Sequence, residues 1–438
     1  MIFRGYDIRG IYPKEINRKI SNRLGKAFGT FLDGETVVVG SDTRASSKKI
    51  LKPFIEGVRS TGCEVIFIGK VPNPATYYYA FSHKIFGAYI TASHNPPEYT
   101  GIKFIKPNGV SFLRELAHIK EIFYSGKFNE GFGYLEKING FEEYENFLLK
   151  NFNSLQGSVV VESFGGVGEL ATKILEKSGL NVRSIRKKID SNFFGLRPEP
   201  KRENLRHMPR FLKNKNFGVA YDGDADRSVF VTEKGKVLNG SEVASIFIPE
   251  VLKKKREKII LTADCAKELE SLVKKKKSKV IWWRVGHGFI EEKLVEEKAI
   301  FAAEQSSHFY FNEFYPFSDG ILSTLYMAKI LDGKKISEVL KLKINPIEKF
   351  YINAENERVK ALAMRKIMNS LKNGRKMMDG IRIELNKSEW VLIRASQTMP
   401  EINVVIEARN KKRLNELKRK YSNYVKKVIK EVKSVQNG

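Results

Sequence analysis

Apolar and polar positions along this chain change period several times, and each change marks an element. Ile16, Ile20, Leu24, Phe28 and Phe31 recur at helical spacing and predict a helix over 16–32. "TVVVGSD" is an apolar run ending in polar residues, the mark of a buried strand. A helix from about Ser46 to Ser60 follows it. "CEVIFIG" predicts another strand, "VPNPATYYYA" a proline-marked turn into a helix, and "GAYITA" a third strand. Strands alternating with helices imply a mostly parallel α/β unit.

The same order returns twice. "SVVVES", "ELATKILEKSG", "NVRSI" and "NFGVAY" form one copy, and "KIILTA", "CAKELESLVKKKK", "KVIWW", "FIEEKLVEE" and "AIFAAEQ" the next. No fixed period relates the copies, so the architecture repeats without being a short-repeat solenoid. Beyond Pro346 the pattern becomes "KFYINAE", a helix, "GIRIEL", "SEWVLIRAS", "INVVIEA" and a closing helix. That last helix carries an apolar stripe at Leu414, Leu417, Tyr421, Val425 and Val428, its core face. The expected fold class is α/β: three similar units with mixed sheets over 1–145, 146–240 and 241–345, and a smaller α+β domain over 346–438.

Ligands of open α/β sheets bind beyond the carboxyl ends of strands. The third strand of each unit runs into polar residues there: Ser93-His94, Asp222 and Glu304. These positions are therefore expected to face one cleft.

Composition narrows the setting. Lys+Arg 78 against Asp+Glu 50 gives +28, but the lysines are scattered in short runs without a nucleic-acid motif beside them. Solvated basic surface is the expectation, with nucleic acid an improbable partner. Cys63 and Cys265 are the only cysteines and form no C-x-x-C, which disfavours a disulfide framework and a thiolate zinc site. "MIFRGYDIRG" lacks the apolar core of a signal peptide. No uncharged apolar run reaches about 18 residues, so no membrane span is expected, and a cytoplasmic setting fits.

"DGDADR" supplies Asp222, Asp224 and Asp226 at alternate positions, where an extended loop projects them the same way. Three hard oxygens suit Mg²⁺. An EF-hand is excluded because Arg227 stands where glycine is required and strand-like segments flank the loop. "ESFGGVGELA" carries Gly166-x-Gly168-x-x-Ala171, but "VRSIRKKID" lacks the ribose-binding acid, so at most a phosphate-tolerant dinucleotide site survives. "WWRVGHGF" places Arg284, Gly286 and His287 together, and "AEQSSHFYF" offers Glu304, Ser306 and His308. A carboxylate and a hydroxyl two residues apart at a strand end can hold neighbouring sugar hydroxyls. "RASQTMP" gathers Arg394, Ser396, Gln397 and Thr398, donors suited to a phosphate.

With "FRGYDIRG" and "TASHNPPEYTGIKF" added to these clusters, nearly the whole chain resembles the α-D-phosphohexomutase family, especially its phosphomannomutase/phosphoglucomutase members. The resemblance implies interconversion of hexose 1-phosphate and 6-phosphate through a phosphorylated Ser93 and a hexose 1,6-bisphosphate. It implies that Asp222, Asp224 and Asp226, with a phosphoserine oxygen on Ser93, hold Mg²⁺. Lys103, Arg9 and His94 would surround the phosphoryl group, with His308 or Lys103 as the base. Arg227 would steady the metal loop. Arg284, Gly286, His287, Glu304, Ser306 and His308 would address the sugar, and Arg394, Ser396, Gln397 and Thr398 the other phosphate.

Departures from the family pattern bear on sugar choice. Ala303 and Ser307 replace glycines, Gln397, Met399 and Asn403 differ from the usual residues, and Thr100 replaces an asparagine. Gln305 resembles the loop of phosphoglucosamine mutases, which makes glucosamine phosphate the alternative substrate. A lapsed homologue acting as a basic binding protein is the reading from a different class.

Overall fold

The computed structural model describes the chain except residues 1, 6, 254–255, 372–373, 377–379, 397–399 and 437–438, and except the side chains of 435–436. The first sheet holds β1 (Ile8–Ile11), β2 (Val37–Ser41), β3 (Val65–Lys70), β4 (Phe86–Ile90), β5 (Tyr99–Ile105) and β6 (Leu135–Lys137), in the order β1-β5-β4-β2-β3-β6. β7 (Ser158–Glu162), β8 (Asn181–Ser184), β9 (Phe217–Tyr221) and β10 (Ser228–Thr232) form the second, in the order β10-β9-β7-β8. β11 (Lys258–Thr262), β12 (Lys279–Trp283), β13 (Phe301–Ala303) and β14 (Phe309–Phe311) form the third, in the order β12-β11-β13-β14.

One plan underlies all three. Leaving aside the edge strands β1 and β6 of the first sheet, the first strand (β2, β7, β11) lies between the second and third, both parallel to it, and the fourth returns antiparallel beside the third. Parallel central strands are covered on both faces, which is why "VVV" and "IIL" are continuous apolar runs without alternation. The mixed sheets follow from the hairpin at the end of each unit. That hairpin is also what turns the chain at the carboxyl end of the third strand.

Helix boundaries follow local chemistry. α1 (Arg18–Leu32) starts at Asn17, whose side chain accepts from the Ile20 amide, and stops at Asp33 in the left-handed region. α2 (Ala45–Arg59) packs across α1 and matches the expected helix to within a residue at each end.

The last sheet is antiparallel throughout: β15 (Ile347–Asn353), β19 (Glu401–Glu407), β18 (Trp390–Ala395), β17 (Gly380–Glu384) and β16 (Arg375–Lys376), in that spatial order. Leu414, Leu417, Tyr421, Val425 and Val428 of the closing helix are buried in its core, as their stripe requires. One large apolar core runs through the first three units, whereas the fourth has its own and touches the third through a small group, Ala263, Trp390, Leu392 and Val405.

The dinucleotide fingerprint has a packing explanation. A Cβ on Gly168 would meet Tyr221 at 2.8 Å, and one on Gly166 the Gly223 carbonyl oxygen at 2.9 Å. These glycines let the turn after β7 close against β9 and the acidic loop. They do not make room for a pyrophosphate.

Candidate functional site

The three hairpin turns converge. Residues 91–98, between β4 and β5, carry Ser93, residues 222–227 carry the acidic motif, and residues 304–308 carry Glu304, Ser306 and His308. Together with the fourth sheet they line one cleft of about 780 Å³.

Ser93 sits with φ of 49°, a left-handed conformation that a non-glycine residue keeps only when its surroundings enforce it. Its amide donates to Thr91 Oγ1 at 2.8 Å, and Thr91 donates in turn to Asp42 Oδ2 at 2.8 Å. The Arg44 guanidinium donates to the carbonyls of Ser93, Asn95 and Pro96 while paired with Asp42. The loop is thus fastened from beneath, and the serine hydroxyl is presented upward. Ser93 Oγ donates to Asp222 Oδ2 at 2.7 Å, across 129 positions of sequence. His94 Nδ1 lies 3.3 Å from the same hydroxyl oxygen. Such close approach needs a glycine opposite: a Cβ on Gly223 would meet the Ser93 carbonyl oxygen at 2.5 Å.

Asp222, Asp224 and Asp226 are buried, and each offers a carboxylate oxygen within 4.8 Å of the others. Lys103 Nζ donates to Asp224 at 2.9 Å and Asp226 at 2.7 Å, Asn73 Nδ2 to Asp226 at 3.1 Å, and Arg227 Nε to Asp222 at 2.9 Å. Asp224 Oδ1 is buried without a hydrogen-bond partner. Burial pushes the Asp222 carboxyl up to about 7 against the pull of Arg227. Burial also opposes charge on Asp226, but Lys103 and His308 outweigh it and hold the carboxyl well below its usual range. A bare oxygen in a close trio of carboxylates fits a hard divalent cation such as Mg²⁺.

The flanking cations differ in protonation. Burial works against Lys103, yet Asp224 and Asp226 hold its ammonium well above the ordinary lysine value. His94 is pushed well below the usual histidine range by burial and then by Arg227 and Arg9, so its ring is neutral. For His308 burial is outweighed by Glu304 and Asp226, which raise its pKa. Its Nε2 lies 3.4 Å from Asp226 Oδ1, and Ser306 Oγ is 2.9 Å from its Nδ1. Arg9 pairs with Asp7 and donates to Asn95 Oδ1 at 2.6 Å, holding the rim of the serine loop.

Glu304 accepts from the Gly286 amide at 3.1 Å and from Tyr310 at 2.6 Å, and His287 lies 3.3 Å from Glu291. The Arg284 guanidinium stacks on Phe289, 3.6 Å from the ring centre, and Val285, Gly286 and His287 beside it line the cleft. Gln305 is tied back, accepting from Ser241 Oγ at 2.5 Å, so its amide braces the neighbouring helix. Ser307, where a glycine was expected, has φ of 69°. Thr100 is buried opposite Gly10 and its hydroxyl has no hydrogen-bond partner, so the structure shows no polar role for it.

Arg394 and Ser396 line the far side of the cleft, where Lys360 Nζ donates to the Ser396 carbonyl at 2.9 Å. Gln397 and Thr398 of the same cluster lie outside the described residues, as does Met399. Sheet register adds two residues that motif reading missed, Lys349 and Tyr351: Tyr351 sits opposite Asn403 on β19, as Arg394 does from the other side, and Lys349 precedes Tyr351 by two on the same face. The only sequence signal for them is their period-2 spacing, which does not say which face looks into a cleft.

The phosphoglucomutase/phosphomannomutase alpha/beta/alpha domain models match this chain in order: domain I at residues 1–130, domain II at 133–235 and domain III at 239–346. A phosphoglucomutase/phosphomannomutase of Thermococcus kodakarensis is 33% identical over 95% of this chain and 96% of its own. A probable phosphoglucosamine mutase of Methanopyrus kandleri is 30% identical, covering 97% and 98%. The crystal structure of a phosphoglucomutase/phosphomannomutase family protein from Burkholderia thailandensis superimposes with a TM-score of 0.88 at 26% identity, over 99% of this chain and 97% of that one.

Proposed function

Because the chain belongs to the phosphoglucomutase/phosphomannomutase family, we propose that it interconverts the 1- and 6-phosphates of mannose and glucose, with Ser93 as the phosphoryl carrier. The observation that carries this reading is the meeting of Ser93 Oγ with Asp222 at 2.7 Å, between the equivalent hairpins of two units. A lone serine could be a turn residue, but a strained serine clamped against a carboxylate trio is arranged for chemistry.

Phosphoryl transfer asks a protein for position and for charge on the moving group. Asp222, Asp224 and Asp226 would hold Mg²⁺ with a Ser93 phosphoryl oxygen, and the ion would supply charge neutralisation between phosphate and carboxylates. The sugar phosphate is gripped at its distal end by Arg394 and Ser396, with Lys349, Tyr351 and Asn403 beside them. Its hydroxyls face Glu304, Ser306 and His287. As the bond from phosphorus to Ser93 Oγ breaks and a bond to the sugar oxygen forms, Lys103 and Arg9 stabilise the transferring group. His308, with Nε2 3.4 Å from Asp226 and Nδ1 2.9 Å from Ser306 Oγ, or Lys103 takes the proton of the attacking hydroxyl and returns it in the reverse step. The resulting hexose 1,6-bisphosphate must turn end for end, so the distal clamp has to accept either phosphate.

The Methanopyrus relative's name keeps glucosamine phosphate as the second reading. Gln305 lines the cleft while its Oε1 accepts from Ser241 Oγ, which leaves the choice of sugar to be measured. Assays of kcat/KM on mannose, glucose and glucosamine 1-phosphates decide between them. The expected order places mannose and glucose well ahead, and a preference for glucosamine would reverse the assignment. Full turnover in Ser93→Ala, or turnover indifferent to Mg²⁺, would remove the mechanism itself.

A further inference from the structure

A second cleft, of about 460 Å³, opens on the first unit and shares no lining residue with the central one. It lies at the start of α2, and Arg18, Lys48, Lys49, Lys52 and Lys70 surround it without any carboxylate in its lining. Among the described residues, Lys52 meets Glu56 on its own helix at 3.8 Å, and no carboxylate pairs with the other four. Like charges crowded round a concavity repel one another, and nothing in the fold answers them.

The floor adds a more specific sign. Thr43 lines the cleft, is 2% exposed, and its Oγ1 has no hydrogen-bond partner. A buried hydroxyl left unpaired is destabilising, so it favours a partner entering the cleft. α2 begins there with no acidic residue in its first turn; its leading amides are already engaged, Arg44 N with Asp42 Oδ1 at 3.0 Å and Ala45 N with the Ser191 carbonyl at 3.1 Å, so the cations and the hydroxyl define the site. Five cations and an unpaired buried hydroxyl converge on one concave site too small for a macromolecule. We propose that this cleft binds a small phosphorylated anion, separately from the catalytic cleft. Arg44 borders it and also holds the carbonyls of Ser93, Asn95 and Pro96. The occupant would therefore sit directly behind the anchor of the serine loop.

Lysine footprinting of the full-length protein tests this. Timed acetylation is followed by peptide mass spectrometry, with and without saturating inorganic phosphate at constant ionic strength. Lys48, Lys49 and Lys70 are expected to react about fivefold more slowly with phosphate, as about 80% occupancy requires. Lys426 and Lys430, exposed on the closing helix, should be unchanged. Protection confined to Lys349 in the catalytic cleft, equal slowing of every surface lysine, or no slowing would each overturn the proposal. In Lys48→Ala/Lys49→Ala, protection of Lys70 should vanish while basal turnover stays at the wild-type level. Thr43→Val keeps every charge and removes only the hydroxyl, so it should need a severalfold higher phosphate concentration for the same protection. An unchanged phosphate requirement in both variants, each checked for a wild-type melting curve, would also overturn it. A parallel arm with hexose 1,6-bisphosphate identifies the source: protection at lower concentration than phosphate assigns a sugar phosphate, and protection by phosphate alone assigns the free ion.

Discussion

Ser307 shows what a single residue can cost. It occupies a left-handed position, φ 69°, in the turn that carries Glu304 and His308. Left-handed backbone costs a non-glycine residue about 1–2 kcal/mol. Ser307→Gly is therefore expected to raise unfolding free energy by about 1 kcal/mol in urea titration; a loss of stability would show that the serine side chain holds the turn. Gly223→Ala should do the opposite to activity. Its Cβ would press on the Ser93 carbonyl at 2.5 Å, so the two loops must part, and turnover should fall at least tenfold with the melting temperature little changed. Unaltered kcat would mean that the contact is not needed. At this scale the sequence was most readable where chemistry is consecutive: three aspartates at alternate positions do form the close carboxylate trio that their spacing implied. Lys349 and Tyr351 were not readable, because their role depends on which face of β15 the sheet turns inward. The stacking of Arg284 on Phe289 of the following helix was likewise not readable from the motif alone.

Hairpins are the elements that make the site. In each of the first three sheets one hairpin, β4–β5, β9–β10 or β13–β14, joins at the same topological place, so one folding rule delivers Ser93, the carboxylate trio and the turn of Glu304 and His308 to a common cleft. That rule was legible because apolar runs ended in polar clusters three times over. Strand order and the antiparallel return were not, because pairing partners leave little trace in a single strand's pattern. Asp319 illustrates such hidden long-range chemistry. It caps the helix Gly320–Leu331 by accepting from the Ile321 and Leu322 amides at 2.7 and 2.9 Å. It also accepts from Tyr144 and Tyr315 at 2.6 and 2.7 Å. Asp319→Ala removes a cap and strands two buried hydroxyls. A loss of about 3 kcal/mol is expected in chemical denaturation, and a loss under about 1 kcal/mol would mean that water or a rearranged neighbour replaces the carboxylate.

For the molecule as a whole, the joint between the third and fourth sheets is the distinctive feature. The apolar contact is small, and polar groups supply the rest: Arg382 lies over Trp282 and Trp390, and Glu407 accepts from the Lys267 amide at 3.1 Å and from Trp390 Nε1. Burial, then Glu268 beside it, pushes the Glu407 carboxyl up to about 9 from an ordinary 4.5. The folded protein thus keeps a proton that the unfolded chain gives up. This contribution is complete below about 4.5 and is lost as pH rises toward 9. Glu407→Gln should melt above the wild type at alkaline pH, with the difference shrinking toward acid; parallel melting curves would rule out a shared proton at this joint.

Across that joint the fourth sheet supplies Arg394 to a cleft whose opposite wall holds Ser93, so the account stands or falls on phosphate passing through that serine. The most direct measurement is to incubate dephosphorylated protein with hexose 1,6-bisphosphate and Mg²⁺ and locate the transferred group by peptide mass spectrometry. One phosphate on Ser93, with hexose monophosphate released and no label on Ser93→Ala, is the predicted result. Label on another residue, or turnover by Ser93→Ala equal to wild type, would contradict it.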